Sequence, residues 1–122
     1  MDWDRLKIVS KYPEIFETTR SYAMEKKYIN HKKMLQRKNI SLKQHIISSY
    51  LSNKSISLEK NLFPYMLKPG IIHNILWSRH KLSKYEIDSY LNVFQREIIW
   101  YENPGNLKSI PGVYHVHVFI KE

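Results

Sequence analysis

Apolar positions recur at helical spacing in the first half of the chain and alternate in the second. Trp3, Leu6 and Val9 fall on one face of a short first helix. Pro13 suits a helix's first turn, where its missing N–H costs nothing. Ile15, Phe16, Thr19, Tyr22 and Ala23 continue the rhythm from there, predicting a second helix that ends near Lys38-Asn39. Ser41-Leu-Lys-Gln44 has the form of a capping box and opens a third helix carrying Leu42, Ile46, Tyr50 and Leu51. After a polar loop at Ser52-Asn-Lys-Ser55, residues 56–70 are expected to be irregular. They are dense in bulky groups, and Pro64 and Pro69-Gly70 interrupt them.

Ile71-Ile-His-Asn-Ile-Leu-Trp77 is apolar on both faces and predicts a buried strand. Ser83-Lys-Tyr-Glu86 is a second capping box, with Leu82 and Ile87 at the two positions of a hydrophobic staple. Ile87, Tyr90, Leu91 and Phe94 extend that helix toward Arg96. A strand at Glu97–Glu102 and a last one around His115-Val-His-Val118 follow, expected to pair antiparallel because consecutive strands tend to be neighbours. The predicted fold class is α+β: N-terminal helices packed on a small, mainly antiparallel sheet with a β-α-β-β C-terminal half. One domain spans residues 1–122, helical and basic over 1–55, with strands and motifs over 56–122.

Charge and composition narrow this further. The 122 residues carry a formal charge of +9. Residues 1–60 hold 13 Lys/Arg against 6 Asp/Glu, and seven basic residues with no acid lie between Lys26 and Lys43. Lys26, Lys27, Lys32, Lys33, Arg37, Lys38 and Lys43 therefore form either a solvated helix face or a phosphate-attracting block for nucleic acid or an acidic protein. There is no cysteine, which excludes disulfides and thiolate zinc sites and fits a reducing compartment. No apolar run approaches the roughly 18–20 residues of a membrane span, and Met-Asp-Trp-Asp at the N-terminus is acidic where a secretory leader would be basic. A cytoplasmic protein without a membrane partner is expected.

The candidate chemistry lies in the last strand. A strand has period 2, so His115 and His117 share one face while Val116, Val118 and Ile120 take the other. Two imidazoles on one face can attack phosphorus, hold a divalent metal with a third ligand such as His73, or be buried, hydrogen-bonded core residues. The metal use requires the strand of His73 to lie beside that of His115. For His31, His45 and His80 the structural role is expected. Trp77 and Trp100 are expected in the core, or as ring platforms for a base or sugar.

Several blocks occur in one order: Asn61-Leu-Phe-Pro-Tyr65, Pro69-Gly-Ile-Ile-His73, Leu76-Trp-Ser78, Trp100-Tyr-Glu-Asn-Pro104, Leu107-Lys-Ser109 and His115-Val-His-Val118. They resemble the signature blocks of the DUF3605 family, the N-acetylglucosamine-induced protein 1 family of fungi and large DNA viruses. The resemblance covers residues 61–121 well and the helical half only through Arg20-Ser21. The family's acidic residue and tryptophan in the first block are replaced here by Leu62 and Phe63. A weaker resemblance is to the histidine-triad hydrolases, in which a strand ends in three alternating histidines and the middle one attacks phosphorus. If His115 takes the first place, His117 is the nucleophile and Phe119 stands at the third. If Val113 takes the first place, His115 is the nucleophile.

These resemblances imply a histidine-lined pocket for a nucleotide or another phosphorylated or sugar ligand, with hydrolysis or transfer of a phosphoester as the HIT-like extension. His117 and His115 would be the catalytic pair. His73, Asn103, Lys108, Ser109, Asn61, Tyr65, Trp77 and Trp100 would contact the ligand. The alternative is a non-enzymatic module binding nucleic acid or protein through its basic half. The shared face predicts that His115→Ala and His117→Ala remove ligand binding with little loss of stability.

Overall fold

A computed structural model describes residues 1–15, 20–104 and 112–122. Three helices come first: α1 (Trp3–Lys11), α2 (Tyr22–Arg37) and α3 (Leu42–Tyr50). Strands β1 (Ile56–Lys60) and β2 (Ile71–Ser78) precede helix α4 (Lys84–Leu91), and β3 (Ile98–Tyr101) and β4 (Tyr114–Lys121) end the chain. The fold is α+β. Its four strands lie in the order β1-β2-β4-β3, and each neighbouring pair is antiparallel. β4 is thus inserted between β2 and β3, which places His73 on the strand beside His115 and His117.

Local chemistry accounts for the helix ends. Both predicted capping boxes form: Ser41 accepts from the Gln44 N–H while the Gln44 side chain accepts from the Ser41 N–H, and Ser83 and Glu86 repeat the exchange. Leu82 and Ile87 are both buried, in one apolar cluster. Helix α2 corrects the expectation that it begins at Pro13. Its cap is Ser21, whose hydroxyl accepts from the Met24 N–H, and residues 13–15 form a turn. The expected helical positions Phe16 and Thr19 lie outside the described residues. Helix α4 ends at Leu91 rather than near Arg96, because a short 3-10 turn and a left-handed Gln95 (φ 49°) stop it.

Strand β1 falls within the segment expected to be irregular. It pairs with β2 from Ile56↔Ser78 to Lys60↔Asn74. The chain then reverses over residues 61–70, where Gly70 at φ 90° takes a conformation that side-chain-bearing residues rarely adopt.

Both sheet faces are covered. On one, Leu76, Val116 and Val118 pack against Leu82, Ile87 and Leu91 of the α4 segment. The opposite face carries His73, Ile75 and Trp77 of β2 across from Phe119, His117 and His115 of β4. At one end of it, Trp3, Leu6 and Val9 of α1 meet Tyr65, Ile99, Tyr101 and Phe119. At the other, Ile46 and Leu51 meet Ile75, Trp77 and Val113. The histidines lie between these two apolar clusters. Among the described residues no helix is long and apolar enough to cross a membrane.

Candidate functional site

The imidazoles of the sheet face form a directed hydrogen-bond chain. His73 Nδ1 is 3.1 Å from the Tyr65 backbone nitrogen, and His73 Nε2 is 2.8 Å from His117 Nδ1. The backbone N–H can only donate, so His73 Nδ1 accepts and its proton sits on Nε2. That N–H donates to His117 Nδ1, which leaves the His117 proton on Nε2. His117 Nε2 is 3.3 Å from Tyr65 Oη and 3.1 Å from the Asn103 amide. With Nε2 a donor, the amide turns its oxygen toward His117. Asn61 anchors the loop over this chain. Its N–H donates to the His73 carbonyl at 2.9 Å, its side-chain oxygen accepts from the Phe63 N–H at 2.9 Å, and its Nδ2 is 3.4 Å from both His73 ring nitrogens.

Burial fixes the charge state of both rings. His73 and His117 are 3% and 4% exposed. Loss of hydration, reinforced by the Arg20 charge, pushes His73 down to about 3. Burial also holds His117 well below the usual imidazole range, helped by His73, His115 and Arg20. Both are neutral at physiological pH. The ring of Phe119 stacks on His73 at 4.5 Å, so the place of a third triad histidine holds a packing residue.

His115 is set differently. Its Nδ1 donates to the Val113 carbonyl at 2.9 Å, so Nε2 is its acceptor nitrogen. Its ring lies 5.0 Å from that of Trp77 and 6.0 Å from His117. Of the two catalytic candidates, His115 therefore carries the lone pair a base or nucleophile needs, and His117 presents an N–H. This ordering corresponds to the register with Val113 in first place.

A cavity of about 60 Å³ opens between this sheet face, α2, α3 and the 61–63 loop. His115, His117, Trp77 and Ile75 form its sheet wall; Tyr28 and His31 of α2 and Leu42, His45, Ile46 and Tyr50 of α3 form its helical wall. Arg20, Lys60, Asn61, Leu62 and Phe63 complete it. The Arg20 Nε donates to the Phe63 carbonyl at 2.7 Å, and the guanidinium lies 4.3 Å from the Tyr28 ring centroid while pairing with Glu25 at 3.4 Å. Among the described residues no carboxylate lines the cavity. The Tyr28 hydroxyl is buried and has no hydrogen-bond partner among the described residues.

The structure thus brings together His115, His117, Asn61 and Trp77 at the cavity wall, with Tyr65, His73 and Asn103 in the hydrogen-bond chain behind it. Trp100 is not part of the site. It points to the other sheet face and donates from Nε1 to Asp88 at 2.8 Å. Lys108 and Ser109 lie outside the described residues. Among the described residues no group of three or more His, Asp or Glu side chains converges as a metal site; His73 and His117 direct ring nitrogens at each other instead. In the basic block Lys26, Lys27, Lys33 and Arg37 are exposed on α2, Lys38 just past its end and Lys43 on α3. Lys32 is the exception, with Nζ 4.5 Å from the Tyr28 ring centroid at the cavity wall.

Arg20, Tyr28, His31, His45, Tyr50 and Lys60 were not in the sequence-derived site. Tyr28 and His31 share the inward stripe of α2 with Leu35, and His45 adjoins the inward Ile46 of α3, so helical periodicity marked the stripes.

Comparison with known proteins bears on the fold and the family. A curated relative, Uncharacterized protein YPL067C of Saccharomyces cerevisiae, is 24% identical over 97% of this chain and 77% of its own length. N-acetylglucosamine-induced protein 1 of Candida albicans is 27% identical over 55% of this chain and 35% of its own length. The crystal structure of HTC1 superposes with a TM-score of 0.72 at 21% identity, covering 99% of this chain and 85% of that one, which supports the fold. The family match spans residues 2–92 and so takes in the helical half, beyond the loose Arg20-Ser21 correspondence the sequence motifs suggested. The chain belongs to the family described as Protein of unknown function (DUF3605).

Proposed function

We propose that the cavity binds a small anionic ligand of the phosphorylated sugar or nucleotide class. The observation that carries this reading is the lining. Arg20, Lys60 and four histidines surround the space and, among the described residues, no carboxylate lines it and the buried Tyr28 hydroxyl beside it has no partner. A buried polar group without a partner costs about 1–3 kcal/mol, which a bound oxyanion or water offsets. A volume of 60 Å³ accepts a phosphoryl-sized head group, and Tyr50 and Trp77, stacked at 6.1 Å, offer a ring surface for the remainder of the ligand.

If the site turns over a phosphoester, the reacting group is His115. Its Nε2 lone pair would attack phosphorus as the bond to the leaving oxygen breaks, and water would then release phosphate from the ring. Arg20 and Lys60 would stabilise the charge on the phosphoryl oxygens. The test is calorimetric titration with inorganic phosphate, AMP and N-acetylglucosamine 6-phosphate, the last chosen because of the Candida relative's name, followed by ³¹P NMR of the mixtures. Saturable binding that His115→Gln weakens supports the reading, and no binding of any of the three overturns it.

A second reading rests on the exposed basic face formed by Lys26, Lys27, Lys33, Arg37, Lys38 and Lys43. It would bind nucleic acid or an acidic protein, and binding would fall steeply with added salt as counterions are released.

A further inference from the structure

His31 and His45 come from different helices and meet at the cavity. Their ring centroids are 5.1 Å apart in an edge-to-face arrangement, and His31 also packs 5.2 Å from Phe63. Both line the space that Arg20 and Lys60 also line. We infer that His31 and His45 form a paired anion clamp in which His31 is uncharged when the cavity is empty and protonated when a dianionic ligand occupies it. The inference rests on the anion-binding reading above and adds the residues that tune it.

The charges facing the pair explain why ligand and proton arrive together. From α2 itself come Tyr28 and Lys32, whose ammonium sits over the Tyr28 ring. Helix α3 contributes Tyr50 and, on its exposed side, Lys43. The segment before α2 brings Arg20, paired with Glu25, and the end of β1 brings Lys60. Glu59 is engaged with the Ser57 hydroxyl at 2.6 Å and does not line the cavity. From β4 come His115 and the neutral His117. Among the described residues no carboxylate lines the space to compensate a charged imidazole, so an empty cavity disfavours protonation of His31. His31 is indeed held below its ordinary value, by burial first and then by its electrostatic coupling to the neighbouring His45 ring.

A bound dianion reverses that balance. Near Arg20 and Lys60 it would set an opposite charge beside the His31 imidazolium and raise His31 above its empty-cavity value. By linkage, affinity is constant above the ligand-bound value and rises as pH falls from it toward the empty-cavity value, by up to about tenfold per pH unit for each histidine that gains a proton. Below the empty-cavity value it is constant again.

Sulfate is the probe, because it stays dianionic where a phosphate monoester, with a second pKa of about 6, itself titrates. Sulfate affinity would be measured at constant ionic strength between about pH 8 and about pH 5.5, alongside the imidazole ¹⁵N shifts that report protonation. The expected result is at least a tenfold gain in affinity on acidification, with His31 moving to the imidazolium shift when sulfate is added. The half-exposed sites make His31→Gln and His45→Gln tolerable to the fold, and the double variant is expected to bind sulfate with a nearly flat profile. Equal pH slopes in wild type and double variant would overturn the clamp, as would sulfate bound at every pH without protonation of either ring; both leave the anion site standing. Absence of sulfate binding throughout the range would overturn the clamp together with the anion reading.

Discussion

His73 and His117, on neighbouring antiparallel strands, share a hydrogen bond of 2.8 Å in the middle of a covered sheet face. The bond is directional. Because the Tyr65 N–H occupies His73 Nδ1, the proton between the rings belongs to His73 and the outward proton of the pair belongs to His117. Two neutral imidazoles are thereby locked in one tautomer each, and His117 is given to hydrogen-bond donation.

The lock gives His117 a structural role, which revises the expectation that it can be removed at little cost to stability. In His117→Ala the His73 Nε2–H loses its acceptor and a buried ring is deleted. A loss of roughly 3 kcal/mol is expected, measured by urea unfolding. His115→Gln, at a ring anchored to the Val113 carbonyl two residues away, is expected to cost less than half as much.

Acid should unfold the protein through the same pair. In the unfolded chain both histidines titrate near 6.5, while in the fold His73 lies at about 3 and His117 well below its ordinary value. The unfolded state therefore binds more protons as pH falls. The stability these rings contribute is fully present above about pH 6.5 and is lost progressively as pH drops toward about 3, by up to about 1.4 kcal/mol per pH unit for each ring. Unfolding measured at several pH values is expected to show that slope, and His73→Phe with His117→Phe is expected to flatten it.

Ser83→Ala removes one half of the box that starts α4, leaving the Glu86 N–H without its acceptor. The expected loss is about 1 kcal/mol, read as a lower urea midpoint with an unchanged slope. The cavity lies on the other sheet face, so ligand affinity is expected to be unaltered.

Charge reversal divides the two basic regions. Lys33→Glu, Arg37→Glu and Lys38→Glu alter exposed positions away from the cavity wall and are expected to leave phosphate affinity within about twofold. Lys32→Glu, which would put a carboxylate over the Tyr28 ring, is expected to weaken phosphate binding by about tenfold or more. Calorimetry of the triple and single variants checks both outcomes.

Much of the fold was legible because it is encoded locally. Ser41-to-Gln44 and Ser83-to-Glu86 are short-range exchanges that need no tertiary information, and the apolar run at 71–77 is long enough to identify itself. Strand β1 was missed because only Ile56 and Leu58 alternate before Pro64 and its bulky neighbours obscure the pattern; its strand character comes from pairing with β2. The start of α2 was misplaced because Pro13 and Ile15 mimic a helix entry, while Ser21 lacks a Glu or Gln three residues on. For the site, alternation put His115 and His117 on one face, and motif order drew in His73, Asn61, Tyr65 and Asn103. It could not supply His31, His45 or Lys60, since local periodicity tells which stripe of α2 or α3 is inward but not what it meets across the core. Trp100 shows the same limit: its strand was foreseen, but its face was not.

The most direct measurement is an NMR titration of the protein with inorganic phosphate at fixed ionic strength, following the six histidine rings and Trp100. Saturable shifts at His31, His45 and His115, with Trp100 unmoved, are the predicted result. Saturation confined to the α2 lysine signals, or no saturable change at the cavity histidines, would contradict the account.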